Sequence, residues 1–232
     1  MQIKEFRMKF STVLATCIVA GAVTADVIAV EPLPFTETFD ADASNWRDVG
    51  GVNDATWSAT GGVGDSGYIS TTLNVPDPVP PFGVLAFRAQ NEYGSSNGAF
   101  EGNWLTAGVS QVSFDVRHDA AGPIQLYARV AGVNGEPGAV LLSFAPVFAG
   151  EWTTVTFDVS PSNPGLIPEG VSFETAFSTV GRFQIGAVPG GGLVNTSFTL
   201  DIDNVALLPS PGVLVALAIA PLALHRRRRA LG

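Results

Sequence analysis

The sequence predicts an all-β chain, a two-sheet antiparallel β-sandwich of the jelly-roll type, and three observations predict it. Between residues 26 and 208, short runs rich in Val, Phe, Thr and Ile alternate apolar and polar residues, the period of a strand with one buried face. Helical periodicity is nearly absent from the same stretch. Clusters of Gly, Pro, Asn and Asp punctuate the runs in a chain that holds 26 glycines and 16 prolines. About ten strands so spaced suit two packed sheets, and a span of about 180 residues is one domain by size.

In order, residues 35–39 read as a first strand and 40–54, with Trp46, as a long polar loop. Strands at 56–59 and 68–73 flank the turn Gly61-Gly62-Val63-Gly64-Asp65-Ser66-Gly67. The segment Pro76-Asp77-Pro78-Val79-Pro80-Pro81 lacks the backbone donors a sheet requires and is a stiff connection. A strand at 84–88, a Gly- and Ser-rich loop to 102, and strands at 109–118, 124–133, 140–144 and 153–159 follow. A loop broken by prolines runs to 174, then a strand at 180–186, the turn Pro189-Gly190-Gly191-Gly192, and a last strand at 197–208. On that last strand Phe198, Leu200 and Ile202 alternate inward, whereas Val205 and Leu207 continue one residue out of phase, so a bulge is expected near Asp203-Asn204.

The two ends of the chain are addresses. Lys4, Arg7 and Lys9 precede the apolar stretch 10–23, and Val23-Thr24-Ala25 offers small residues for cleavage, so residues 1–25 are a signal peptide. The only cysteine, Cys17, lies inside it behind Thr16, where a lipoprotein site needs Gly or Ala; the mature chain then has no cysteine and is held by its core alone. At the other end Pro209, Ser210 and Pro211 precede an apolar run from 212 to 224 and the arginines Arg226, Arg227, Arg228 and Arg229. Thirteen helical residues cover about 20 Å against a hydrocarbon core of about 30 Å. The arginines orient the segment with the preceding domain outside.

That layout resembles the PEP-CTERM sorting signal of exported bacterial proteins, with Ser210 in place of the family's middle Glu. The resemblance covers 209–229 and implies an exosortase-like processing enzyme as partner. It also implies a protein held in the membrane by its C-terminal helix before processing and then released to the cell surface or extracellular matrix. The alternative is an ordinary C-terminal membrane anchor. The first strand, Thr36-Glu37-Thr38-Phe39-Asp40, and the last, Phe198-Thr199-Leu200-Asp201-Ile202-Asp203-Asn204-Val205, resemble the two ends of carbohydrate-binding-module and galactose-binding-like jelly rolls. This second resemblance implies that the terminal strands pair and that a structural calcium lies beside them.

Charge narrows the partners. Residues 26–208 carry five arginines, no lysine and 20 acids, a formal charge of −15. Such a domain is a poor partner for nucleic acid or anionic lipid and compatible with neutral glycans and with calcium. Calcium takes six to eight oxygens. Asp203 at the bulge, with Glu37 or Asp40 from the first strand, would supply some of them; the alternative is a pair of solvated acids closing a strand.

Catalytic patterns are lacking. Gly64-Asp65-Ser66-Gly67 copies the surroundings of a trypsin-like nucleophile, but no His precedes it, so it is a turn. Outside the tail His118 is the only histidine, too few for a zinc site. Asp201 and Asp203 share a strand face without a glycosidase pattern around them, and an enzyme is not expected.

A binding face is more promising. Alternation turns Tyr127 and Arg129 outward on one strand, Asp115 and Arg117 on another, and Arg182 and Gln184 on a third. If these strands are neighbours, the six side chains form one surface of guanidinium forks, an amide and an aromatic suited to sugar hydroxyls and ring faces. The competing expectation is that each arginine pairs with a cross-strand carboxylate. Two classes of function stay open: a glycan-binding, matrix-associated module, or a structural surface protein whose sandwich binds nothing. A polysaccharide lyase or glycoside hydrolase comes third.

Overall fold

The computed structural model describes residues 32–210. They form eleven strands: β1 (Phe35–Glu37), β2 (Thr56–Ser58), β3 (Tyr68–Asn74), β4 (Val84–Gln90), β5 (Val109–His118), β6 (Ile124–Ala131), β7 (Gly138–Leu142), β8 (Thr153–Asp158), β9 (Leu166–Pro168), β10 (Arg182–Pro189) and β11 (Ser197–Pro209). Two short helices interrupt them, α1 (Trp104–Ala107) and α2 (Phe173–Ser178). Every strand expected from alternation is present within a few residues of its expected bounds. β9 and both helices go unannounced by periodicity, because each is shorter than the window in which a period can be read.

One sheet has the order β2-β3-β11-β5-β8 with β1 also paired to β11; the other has the order β4-β10-β6-β7-β9. All pairings are antiparallel. The chain passes from one sheet to the other six times, between β3 and β4, β4 and β5, β5 and β6, β7 and β8, β8 and β9, and β10 and β11. That shuttling of consecutive strands makes the sandwich a jelly roll. The terminal strands pair, with Phe35 opposite Leu207 and Glu37 opposite Val205.

Between the sheets lie Ile69, Leu73, Val112, Phe114, Leu200 and Ile202 from the first, and Phe87, Leu126, Val130, Phe183 and Ile185 from the second, all buried. Each such side chain contributes roughly 1.5–3 kcal/mol by leaving water. One end of the sandwich is closed by aromatics from loops: Trp46 meets Phe39, Phe100 and Phe183 edge-on, and Trp104 meets Phe177 and Phe183. The indole N–H groups of Trp46 and Trp104 donate to Ser96 Oγ (2.9 Å) and the Phe100 carbonyl (3.1 Å), so neither buried ring leaves an unmet donor.

The expected bulge is there. Against β5, the register passes from Asp203 opposite Asp115 to Ala206 opposite Ser113, one extra residue on β11, and Asn204 takes φ 49°. The extra residue lets Phe198, Leu200, Ile202, Val205 and Leu207 all face the core.

Candidate functional site

The expected six-residue surface does not form. Asp115 and Arg117 stand on β5 in the six-stranded sheet, whereas Tyr127, Arg129, Arg182 and Gln184 stand on β6 and β10 in the other. The link between β5 and β6 crosses the sandwich instead of folding back as a hairpin. Alternation tells which way a side chain faces, not which sheet its strand joins.

On the six-stranded sheet these groups hold the structure together. The Arg117 guanidinium packs on the rings of Tyr68 and Trp152, 5.2 and 4.5 Å from their centroids, and the two rings meet each other edge-on. It donates through Nε (3.0 Å) and Nη2 (2.8 Å) to Asp201 Oδ2, and through Nη1 (3.2 Å) to the Gly61 carbonyl. Trp152 Nε1 donates to that same carbonyl (3.1 Å). Asp115 accepts from Thr154 Oγ1 and, at 2.8 Å, from Asn204 Nδ2. Asp203, wholly buried, accepts from Val63 N–H (2.9 Å), Ser66 Oγ (2.7 Å) and Asn204 N–H (2.6 Å). The 61–67 turn is therefore clamped down over this face.

The calcium ligands expected near the terminal strands, Asp203 with Glu37 or Asp40, are each engaged in local hydrogen bonds. Asp203 spends its oxygens on the turn, Glu37 Oε1 accepts from Phe39 N–H (3.2 Å), and exposed Asp40 accepts from Thr38 Oγ1 (2.8 Å). Among the described residues no three His, Cys, Asp or Glu side chains group to hold an ion. His118 faces the core: Nε2 donates to the Val147 carbonyl (3.1 Å), Nδ1 accepts from Ala120 N–H (3.2 Å), and burial lowers its pKa below 6.5.

The outer face of the five-stranded sheet is different. A single cross-strand row runs Arg88–Gln184–Arg129 over β4, β10 and β6, and Arg47, in a bridge with Arg88, extends it past the β4 edge. Beside the row Tyr127 opposes Gly186. A Cβ at position 186 would stand 2.1–2.4 Å from the tyrosine ring, so only glycine lets the ring lie across the strand. Tyr127 is 4% exposed, and burial pushes its pKa up to about 12.

Loops wall this face. Asp48 Oδ1 accepts from the N–H groups of Gly50 (3.0 Å) and Gly51 (3.1 Å), closing a turn whose Val49 carbonyl accepts from Arg88 Nε (3.4 Å) and Nη2 (3.2 Å). Across the face, Gly135 in the β6–β7 turn accepts from Arg129 Nη2 (3.0 Å), and Val133 from Arg182 Nε (2.9 Å).

Four of the domain's five arginines have carboxylate partners: Arg47 with Asp54 (2.6 Å), Arg117 with Asp201 (2.8 Å), Arg129 with Glu169 (2.6 Å) and Arg182 with Glu92 (2.8 Å). Arg88 forms no ion pair among the described residues. Among the described residues three buried side-chain atoms lack a hydrogen-bond partner, Arg47 Nε and both amide atoms of Gln90, and all three belong to this same β4 corner. Sequence reasoning missed Arg88, Arg47 and Gln90; what marks them is the absence of tertiary partners, which alternation does not encode.

Of the sorting residues, Pro209 is the last of β11, opposite Val109. Ser210 is exposed beside a pocket of about 310 Å³ lined also by Ser110, Gln111, Asp158 and Asn163. Pro211 and Arg226, Arg227, Arg228 and Arg229 lie outside the described residues, as does the signal peptide. Among the described residues no helix is long and apolar enough to cross a membrane.

No protein-family model and no curated protein matches the chain. Among solved structures it is similar to an agarase, AgWH50C (10% identity, 77% of this chain, 25% of that chain, TM-score 0.48). It is also similar to two modules of Clostridium thermocellum. One is a family 11 carbohydrate-binding module in complex with a β-1,3-1,4-mixed-linked tetrasaccharide (12% identity, 76% and 95% coverage, TM-score 0.42). The other is the family 30 carbohydrate-binding module of a cellulosomal cellulase (10% identity, 80% and 96% coverage, TM-score 0.43).

Proposed function

We propose that this chain is an exported, matrix-associated glycan-binding module, and that it binds through the outer face of the five-stranded sheet. The observation that carries the reading is Arg88: a guanidinium without a carboxylate, braced by one backbone carbonyl, next to the Gln184 amide and the Tyr127 ring on a face walled by two loops. A forked donor of this kind holds sugar hydroxyls, while Gln184 and Tyr127, each 4% exposed, flank it within the sheet face. Export is supported by the leader pattern of residues 1–25, and retention by the tripartite tail from Pro209, with an exosortase-like enzyme as its processing partner. No catalytic role is assigned: Asp201 is held by Arg117, and Asp203 by the turn above it.

A second reading, a scaffold that binds nothing, is favoured by a specific observation. Four arginines are already paired, and Trp46 and Trp104 are fully buried. A glycan array probed with the full chain and with Arg88→Gln separates the two. Glycan signals that disappear in the variant, with an unchanged melting temperature, support binding on this face. Signals that persist in the variant move the site elsewhere, and a blank array for the wild type leaves the scaffold.

A further inference from the structure

The row on the five-stranded sheet sets like charges face to face. Arg47 and Arg88 exchange both backbone hydrogen bonds, Arg47 N–H to the Arg88 carbonyl (2.9 Å) and Arg88 N–H to the Arg47 carbonyl (3.0 Å), so their side chains leave the sheet on one side. Strands are spaced about 4.8 Å apart, and like charges directly opposite on neighbouring strands destabilise a sheet. Arg47 is compensated by Asp54, whose side chain is largely in water. Across from it, Gln184 next to Arg88 accepts at Oε1 from Arg129 Nη1 (2.9 Å), which leaves that oxygen committed to another cation. Arg88 therefore sits among Arg47, Arg129 and a spent amide oxygen, and among the described residues only the Val49 carbonyl accepts from it.

The unmet polar capacity lies beside it. Gln90, two residues along the strand on the same outer face, is 1% exposed with neither amide atom bonded, and Arg47 Nε is buried without an acceptor. Buried donors that lack acceptors cost more than exposed ones, and a guanidinium matched by a planar oxyanion gains two parallel charge-assisted bonds. Gln90 is too deeply buried for a ligand to reach, and one of its two unmet atoms is an acceptor, so the group left for a ligand is the half-buried fork of Arg88, which a compact anion with two acceptor oxygens matches.

Resting on the glycan-binding reading, we propose that the face recognises an acidic glycan, and that Arg88 receives the carboxylate of a uronate residue. The formal charge of −15 does not oppose this at physiological ionic strength, where fields beyond about 8 Å are screened and the local guanidinium row dominates. It does make the chain selective: a uronate bound here meets the one place in an acidic domain where cations outnumber their partners.

The test is calorimetric titration of the full chain with uronate-containing oligosaccharides (galacturonate, glucuronate and mannuronate series), each beside its carboxyl-reduced neutral counterpart. The wild type is expected to bind at least one uronate oligomer about ten- to a hundredfold more tightly than its reduced twin. Arg88→Gln is expected to abolish that preference, and Arg88→Lys, which keeps the charge but not the fork, to retain only part of it. Melting temperatures of both variants establish that they fold. Equal affinity for acidic and reduced oligomers would overturn the uronate assignment while leaving glycan binding in place, as would a uronate preference that survives in Arg88→Gln. No binding to either series would remove the acidic-glycan inference, and a blank array as well would remove the reading beneath it.

Discussion

Asp203→Asn is the sharpest test of how the six-stranded face is built. The carboxylate is 0% exposed and accepts three hydrogen bonds, two at Oδ2 and one at Oδ1. An asparagine has one acceptor oxygen, so in either orientation its NH₂ group confronts a backbone N–H, that of Val63 or that of Asn204. The substitution loses at least one charge-assisted bond and leaves a donor facing a donor, a cost of about 2–4 kcal/mol. For a domain of this size that corresponds to a fall in melting temperature of roughly 5–15 °C. Thermal unfolding followed by tryptophan fluorescence measures it directly, and Trp152, bonded to Gly61 of the same turn, reports the turn's release. Because those oxygens are occupied, the wild-type melting temperature is expected to be the same in calcium and in chelator. A loss below about 0.5 kcal/mol, or a calcium-dependent stabilisation that Asp203→Asn removes, would refute the reasoning.

Gly186→Ala is expected to destabilise by about 1–3 kcal/mol, since the new methyl overlaps the Tyr127 ring. Most of that cost should vanish in a Tyr127→Ala background, which a double-mutant cycle by chemical denaturation would measure. Arg117→Gln removes the guanidinium packed on Tyr68 and Trp152 and should shift Trp152 emission with a loss of about 1 kcal/mol, a modest figure because the pair is partly solvated. His118 has its folded pKa depressed by burial, so the unfolded chain binds the extra proton. Its contribution is complete above pH 6.5 and declines as pH falls below it, by at most about 1.4 kcal/mol per pH unit. Urea titrations between pH 7.5 and 5 should show this slope in the wild type and a shallower one in His118→Gln.

The sandwich was legible because alternation is a local signal: Ile69, Leu73, Phe114, Leu126, Phe183 and Leu200 each announce a buried face within a few residues. The phase slip between Ile202 and Val205 revealed the bulge for the same reason. The helices were written more faintly. Asn103 and Ser172 are N-caps, accepting from Thr106 N–H (3.0 Å) and Thr175 N–H (3.2 Å), and Gly108 closes α1 in the left-handed region, but a single turn gives no period to read. The candidate site fared worst. Arg117 and Arg129 look alike along the chain, yet one packs on two aromatic rings on one sheet and the other lies in an arginine row on the opposite sheet. Sheet membership follows from crossovers such as the link between His118 and Ile124, which depend on how the whole core closes. Arg88 was unremarkable in sequence because its distinguishing property is a missing partner.

The measurement that bears most directly on glycan recognition at Arg88 is an NMR titration of the arginine Nε–Hε resonances of the full chain with a glycan selected on the array. Arg88 Nε donates only a long bond to Val49, whereas Arg117 and Arg129 Nε are bound to carboxylates at 3.0 and 2.6 Å. Saturable movement of the Arg88 resonance, with Arg117 on the opposite sheet unmoved, is the predicted result. Movement of Arg117 with Arg88 silent would place the ligand on the other face and contradict the account.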